Sequence, residues 1–473
     1  MSERGVACRR TREDMISVLP DDLLCQILYN VPTKTAVMTS VLSTRWRSIW
    51  LSIPHLDLQS DDFPNFTAFA NFISRFLDFS KGSSRLHKLK LESWNLDFVS
   101  GYLDPCCLIT DWINNAVTRK VQHLDILYPW IVKKMPLSIY TCETLVSLKL
   151  TNASLADCEY VSLPCLKIMH LVDNIYASDA FLEKLISSCP VLEDLTFVGN
   201  RDTEYNLRVL RVRSKSLKSL VVDLDGNTDM DSETTGKGVV IDAPGLDYLS
   251  LEDYQSTSFV ISKLSFSAKV YVNVGFDMAF DTAVIDSSKR SVVRTFFTML
   301  SNVRDMTLSG TTLRIISLYL KHELLPQFPH LIRLHSVFYN SDLGKLPNIL
   351  QSCPNLKSLV LEPEEFKMNE LLVLSSSSSS VPECLRSSLE HVEIKTLIRG
   401  AVAEMELVKY FLENSAVLKK LKLCLRRGRM NEESFILMEL LRLRRCSPCC
   451  EVVIQLEELN ETRQSMVRYY TFL

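Results

Sequence analysis

Glycine is scarce, at 13 of 473 residues, and neither familiar glycine-rich phosphate-loop spacing occurs. The H-E-x-x-H zinc signature is missing, as is any RING-like Cys/His spacing. Cys446-Ser-Pro-Cys449-Cys450 holds one Cys-x-x-Cys, but no second pair or His follows to complete a four-ligand zinc site. The lone cysteines lack a nearby basic partner that would make one of them a nucleophile. No apolar run reaches 18 residues, so no membrane span is expected. The formal charge of −3 gives no general attraction to nucleic acid, and the basic runs Arg426-Arg-Gly-Arg429 and Arg442-Leu-Arg-Arg445 are not interleaved with exposed aromatics. The first ten residues carry charges in place of a signal peptide's apolar core, so the 14 cysteines are expected to be reduced thiols inside the cell. These absences leave no catalytic set, no metal site and no cofactor to expect. A binding protein is the class that remains.

What is present begins at Ile16 and runs to Trp50. Leu23, Leu24, Ile27, Leu28 and Val31 recur on one helical face, with Pro20, Asp21 and Asp22 suited to its start. Pro32 ends that helix. Thr33 is expected to cap a second helix carrying Ala36, Val37, Val41 and Leu42, and Ser43 a third carrying Trp46 and Trp50. Three short helices cannot bury so many large apolar groups among themselves, and each fully buried one contributes roughly 1.5–3 kcal/mol. A partner surface is implied.

The stretch resembles an F-box, the helical module that docks on the Skp-type adaptor of cullin–RING ubiquitin ligases. The resemblance rests on Leu19-Pro20, Leu23-Leu24, Ile27-Leu28, Val41-Leu42, Arg45-Trp46 and Trp50. Pro32-Thr33-Lys34 and Ala36-Val37 match the version common in plants. It implies docking through Leu19, Pro20, Leu23, Leu24, Ile27, Leu28, Val31, Val41, Leu42 and Trp46 as buried anchors, with Arg45 as a rim contact.

Residues 1–13 are charged and aperiodic, a disordered lead-in, and the F-box covers 14–54. Over 55–85, Phe63, Phe66, Phe69, Phe72, Ile73, Phe76 and Leu77 predict an amphipathic helix linking the F-box to the remainder. From 86 to 374 a pattern of apolar, two variable, apolar, one variable, apolar recurs, as in Leu86-Leu89-Leu91, Leu145-Leu148-Leu150 and Leu356-Leu359-Leu361. Copies also start at 121, 166, 192, 217, 246, 303 and 331, with a degenerate one near Val270-Val272-Val274. This is the leucine-rich-repeat signature. Each copy predicts a short strand followed by a return segment, and stacking buries a continuous core. Ser188-Cys-Pro-Val-Leu192 and Ser352-Cys-Pro-Asn-Leu356 are near-copies of one helix-to-strand turn. The polar segments 225–240 and 276–290 are expected as loops, and the serines of 375–380 as a flexible linker.

Beyond the serines, 381–455 resembles the FBD region that follows leucine-rich repeats in plant F-box proteins, and a tail occupies 456–473. The resemblance is carried by Val381-Pro-Glu-Cys-Leu-Arg-Ser-Ser-Leu389-Glu-His-Val-Glu-Ile, Glu404 to Leu412, Leu418-Lys-Lys-Leu421 and Glu451-Val-Val-Ile. The fold class expected is α/β: a three-helix F-box, then an irregular leucine-rich-repeat solenoid, then a capping FBD region. The whole resembles the F-box/FBD/LRR-repeat family. That implies a non-enzymatic substrate-recognition subunit of an SCF-type ubiquitin ligase in the nucleus and/or cytoplasm. Its partners would be a Skp-type adaptor, cullin through that adaptor, and a protein target, with neither nucleic acid nor membrane. The alternative is a non-ligase interaction scaffold. Repeat phase places Asp194, Asp223, Glu252 and Asp305 on the concave face, an acidic centre suited to a basic target segment.

Overall fold

The structure is a computed structural model that describes residues 16, 18–79, 85–93, 105–132, 134–199, 207–224, 236–262, 264–278, 285–364, 381–398, 401–426 and 430–457. The lead-in 1–13, the serine linker 375–380 and the tail beyond 457 lie outside the described residues. The chain forms two compact units, residues up to 177 with 188–191, and 178–187 with 192 onward.

The first unit opens with α1 (Asp21–Leu28), α2 (Thr33–Met38) and α3 (Trp46–Ile49). Single 3-10 turns, Thr39–Val41 and Trp50–Ser52, extend the last two. Pro20 and Pro32 are the N-caps of α1 and α2, so Thr33 is the first helical residue and not the cap. Its hydroxyl instead accepts the Asp57 backbone N–H at 2.9 Å. Arg45, not Ser43, precedes the third helix.

A parallel ladder follows at once: β1 (His55–Gln59), β2 (Lys88–Glu92), β3 (His123–Val132), β4 (Ser147–Leu155) and β5 (Ile168–Val172). The short β6 (Ile175–Tyr176) pairs with the end of β4. The linker expected over 55–85 therefore contains the first strand, which pairs with β2 from His55↔Lys88 to Gln59↔Glu92. The aromatic helix, α4 (Phe66–Phe79), is the return segment of that first repeat. α5 (Pro105–Thr118) packs beside it, with Trp112 edge-on to Phe69 and its Nε1–H donating to Ser74 at 3.1 Å.

The second unit holds α6 (Asp179–Ser187) and then β7 (Asp194–Val198), β8 (Val209–Arg213), β9 (Ser219–Leu224), β10 (Gly238–Asp242), β11 (Tyr248–Asp253), β12 (Ser258–Ile261) and β13 (Lys269–Val274). β7, β9, β11 and β13 are neighbours in the main parallel sheet. β8, β10 and β12 form a second, three-stranded parallel sheet in the return segments. The sequence reading missed this sheet and placed Gly238–Val240 in a loop. Its signal is an alternation too short to stand out: Leu210 and Val212, Val239 and Ile241, Phe259 and Ile261 are buried.

Helical returns resume with α7 (Ser287–Met299), β14 (Asp305–Leu308), α8 (Gly310–Tyr319), β15 (Arg333–Tyr339), α9 (Leu346–Gln351) and β16 (Ser358–Glu364). Asp286 and Ser309 cap α7 and α8 with their side chains. The ladder then runs through α10 (Glu383–Ser387), β17 (His391–Ile398), α11 (Val402–Asn414), β18 (Lys420–Arg426), α12 (Met430–Arg442) and β19 (Glu451–Glu457). β17 pairs with β16, β18 with β17 and β19 with β18, all parallel. The C-terminal region thus ends the unit as further repeats in the same sheet. Inward residues of each strand, such as Leu220, Leu249, Leu359 and Leu421, are fully buried.

Candidate functional site

The N-terminal helices separate their apolar residues into two sets. Leu24, Leu28, Ala36, Trp46, Ile49 and Ile53 form a buried cluster, with Leu19, Cys25, Val31 and Trp50 packed against it. Three expected partner anchors, Leu24, Leu28 and Trp46, are therefore the module's own core. The reason is helical geometry: i and i+4 positions of α1 share a face, and Leu24 and Leu28 face inward.

The second set stays in water. Val41 is 85% exposed, Leu42 65%, Ile27 51% and Leu23 44%. Pro20 is exposed beside them in sequence, and Met38, Val18 and Ile16, which the sequence reading did not single out, are exposed too. Leu23 and Ile27 lie four apart on α1, while Met38, Val41 and Leu42 follow one another along α2 and its 3-10 turn. Large apolar side chains left in water are what an interaction surface requires.

Arg45 is tied inward. Its Nε–H donates to Asp21 Oδ1 at 2.8 Å, its Nη2 reaches the same oxygen at 2.6 Å, and Nη2 also donates to the Leu19 carbonyl. The guanidinium thereby ties down the Leu19-Pro20 entry to α1, while 36% of the Arg45 side chain stays exposed. Trp50 closes the module on its other side, stacked near-parallel on Phe72 and Phe76 of α4 at 6.0 and 6.1 Å.

The join to the repeats is packed and polar. His55 Nε2 contacts the Val31 carbonyl at 3.3 Å, and Tyr29 sits edge-on to the His55 ring at 5.1 Å. Lys34 pairs with Asp62 at 2.6 Å. Burial, reinforced by Lys88, pushes the His55 imidazole below its ordinary pKa, against the opposing pull of the Val31 carbonyl.

On the second unit's sheet, the four acids of the expected target face fall in two rows. Asp194 and Asp305 share the row Asp194, Ser219, Tyr248, Lys269, Asp305, Arg333. Asp223 and Glu252 are cross-strand neighbours in the row Val198, Asp223, Glu252, Asn273, four residues and about 13 Å along the strands. Asp305 is engaged by Arg333 at 2.8 Å. Glu252 accepts from Asn273 at 3.0 Å, and the Asn273 amide also reaches the Tyr254 hydroxyl at 2.7 Å. A single acidic surface through all four is not what the strands build; the Asp223–Glu252 pair is its compact part.

Among the described residues no group of His, Cys, Asp and Glu could hold a metal ion. Cys446 and Cys449 are exposed and Cys450 is buried. Burial pushes the thiols of Cys189 and Cys384 up to about 12, which keeps them protonated at neutral pH. No helix among the described residues is long and apolar enough to cross a membrane.

An apolar helical module joined to parallel leucine-rich repeats defines an F-box protein of the LRR class. The F-box domain model matches residues 16–57, which span the exposed helices. The model for the LRR repeats of the FBD-associated F-box protein At5g56370 matches 109–268, and the FBD model matches 377–423. The putative F-box/FBD/LRR-repeat protein At5g22670 of Arabidopsis thaliana is 58% identical over 466 residues, covering 96% of this chain and 99% of its own. The F-box/FBD/LRR-repeat protein At5g22660 of the same plant is 50% identical, covering 96% and 98%. F-box/LRR-repeat protein 13, also from Arabidopsis thaliana, is 42% identical, covering 96% and 99%. The chain belongs to the F-box/FBD/LRR-repeat family. A leucine-rich-repeat protein of Leptospira interrogans, 15% identical, matches 86% of this chain and 91% of its own at a TM-score of 0.35.

Proposed function

We propose that this protein is the substrate-recognition subunit of an SCF-type ubiquitin ligase. The F-box docks on a Skp-type adaptor and through it on cullin, and the repeats and FBD region hold a protein target. One observation carries the reading: Leu23, Ile27, Val41 and Leu42 stand exposed on a module whose own core is already filled. Docking would remove that surface from water, with roughly 1.5–3 kcal/mol available for each side chain fully buried. Pro20 completes the face, and Leu19, Val31 and Arg45 hold it in shape from behind. Leu24, Leu28 and Trp46 contribute by giving the face its backbone.

The chemistry belongs to a separate ubiquitin-carrying enzyme, and this chain's part is effective concentration and orientation. The Asp223–Glu252 pair on β9 and β11, in which Asp223 is nearly buried, is the element of the target face that would take a basic segment of the target. A nuclear and/or cytoplasmic place follows from this role. The test is reconstitution with adaptor, cullin and RING subunit, followed by identification of proteins ubiquitylated while the proteasome is blocked. Adaptor binding without any cullin-dependent ubiquitylation would contradict the ligase role.

A further inference from the structure

The polar face of the first unit carries a hollow of about 410 Å³ on β2, β3 and β4, with Tyr29 at its rim. Its floor is a grid of two registered rows, Lys88, His123 and Ser147 in one and Lys90, Asp125 and Lys149 in the other. Three ammonium groups therefore line the hollow against one carboxylate. Lys88 is shared with Asp57 at 2.7 Å and Lys90 with Glu92 at 2.6 Å. Lys149 forms no salt bridge among the described residues.

From this geometry we infer that the hollow is a binding site for a phosphomonoester. Lysine supplies point charges that can surround a tetrahedral dianion, whereas a carboxylate is better met by the planar fork of arginine, which does not line the hollow. Tyr29 and Ser147 also line the hollow, Ser147 with little of its side chain exposed. The volume accommodates a phosphate with a small organic body against the Tyr29 ring. Asp125 in the hollow, together with Asp57 on Lys88 and Glu92 on Lys90, opposes the anion. Burial already pushes the Asp125 carboxyl above the usual range, with Lys90 and Lys149 pulling it back.

Calorimetric titration of the full chain with inorganic phosphate and with O-phosphoserine, at constant ionic strength set by chloride, tests the site. Saturable binding is expected, weakened about tenfold in Lys149→Met, which keeps the aliphatic stem, and unchanged in Lys215→Ala. Asp125→Asn should tighten it several-fold, opposite in sign to any general loss of structure. O-Phosphoserine that binds more tightly than inorganic phosphate supports an ester site, and equal affinity overturns the ester assignment. Binding absent above the chloride background, or undiminished in Lys149→Met with an unaltered melting curve, overturns the proposal.

Discussion

At the scale of single residues, adjacent leucines of α1 do opposite work. Leu24 is fully buried in the helical cluster, while Leu23 is 44% exposed. Leu24→Ala should destabilise the protein by about 2–5 kcal/mol in a chemical denaturation series, because a closed cluster relaxes poorly around the cavity. Val41→Asp should change the same midpoint by less than about 0.5 kcal/mol. His55 gives a pH prediction. It is 4% exposed, and its Nδ1 has no hydrogen-bond partner among the described residues, so the folded state disfavours the imidazolium. Its folded pKa lies below the unfolded value of about 6.5, so the unfolded chain takes up the proton first as pH falls. The stability His55 contributes is complete above that value and declines below it, down to the folded pKa. Urea midpoints measured from pH 7.5 to 5 should fall less steeply in His55→Phe than in the parent. Some slope should persist from His123, which burial, Lys88 and His87 hold low in the same sense.

At the scale of elements, strands were legible where the apolar pattern is long enough to state a phase. The degenerate copy at Val270-Val272-Val274 is the strand β13, with all three side chains buried. β1 escaped notice because His55-Leu-Asp-Leu-Gln59 supplies only two apolar residues before an aromatic helix whose period dominates the window. β10 escaped because its glycine and neighbouring polar residues signal a turn, and only pairing with β8 and β12 makes it a strand. Partition of the F-box leucines into core and surface was likewise hidden, since a helical period marks an apolar face without saying which part a partner covers. Close strand packing also sets local limits. A Cβ at Gly275 would lie 2.9 Å from both Tyr254 Cα and the Tyr254 carbonyl oxygen, and neither backbone atom can yield as a side-chain tip could. Gly275→Ala should cost about 1–3 kcal/mol, measured as a lowered denaturation midpoint. On the adjoining strands, the double reversal Asp223→Lys with Glu252→Lys should abolish capture of the target in a pull-down and leave adaptor binding intact. Equal target recovery would show that this pair is not the recognition element.

At the scale of the whole molecule, the F-box holds a group of exposed large apolar side chains, and the repeats give registered rows of polar side chains on parallel strands. Contacts at Val31–His55, Thr33–Asp57 and Lys34–Asp62 tie the F-box to the first repeat. A docked adaptor would thus hold the first repeats in a set orientation. The family was legible from short motifs because each records a packing requirement: apolar spacing in the helices, and the paired leucines of each strand. Target chemistry was less legible, because phase alone placed four acids on one face and only strand register showed them in two rows. The measurement that tests the central claim most directly is co-purification of the full chain with a Skp-type adaptor and cullin, comparing the parent with the double variant Val41→Asp, Leu42→Asp. The parent should recover both partners and the variant neither, with superimposable melting curves. Undiminished adaptor recovery by the folded double variant would contradict docking through this face.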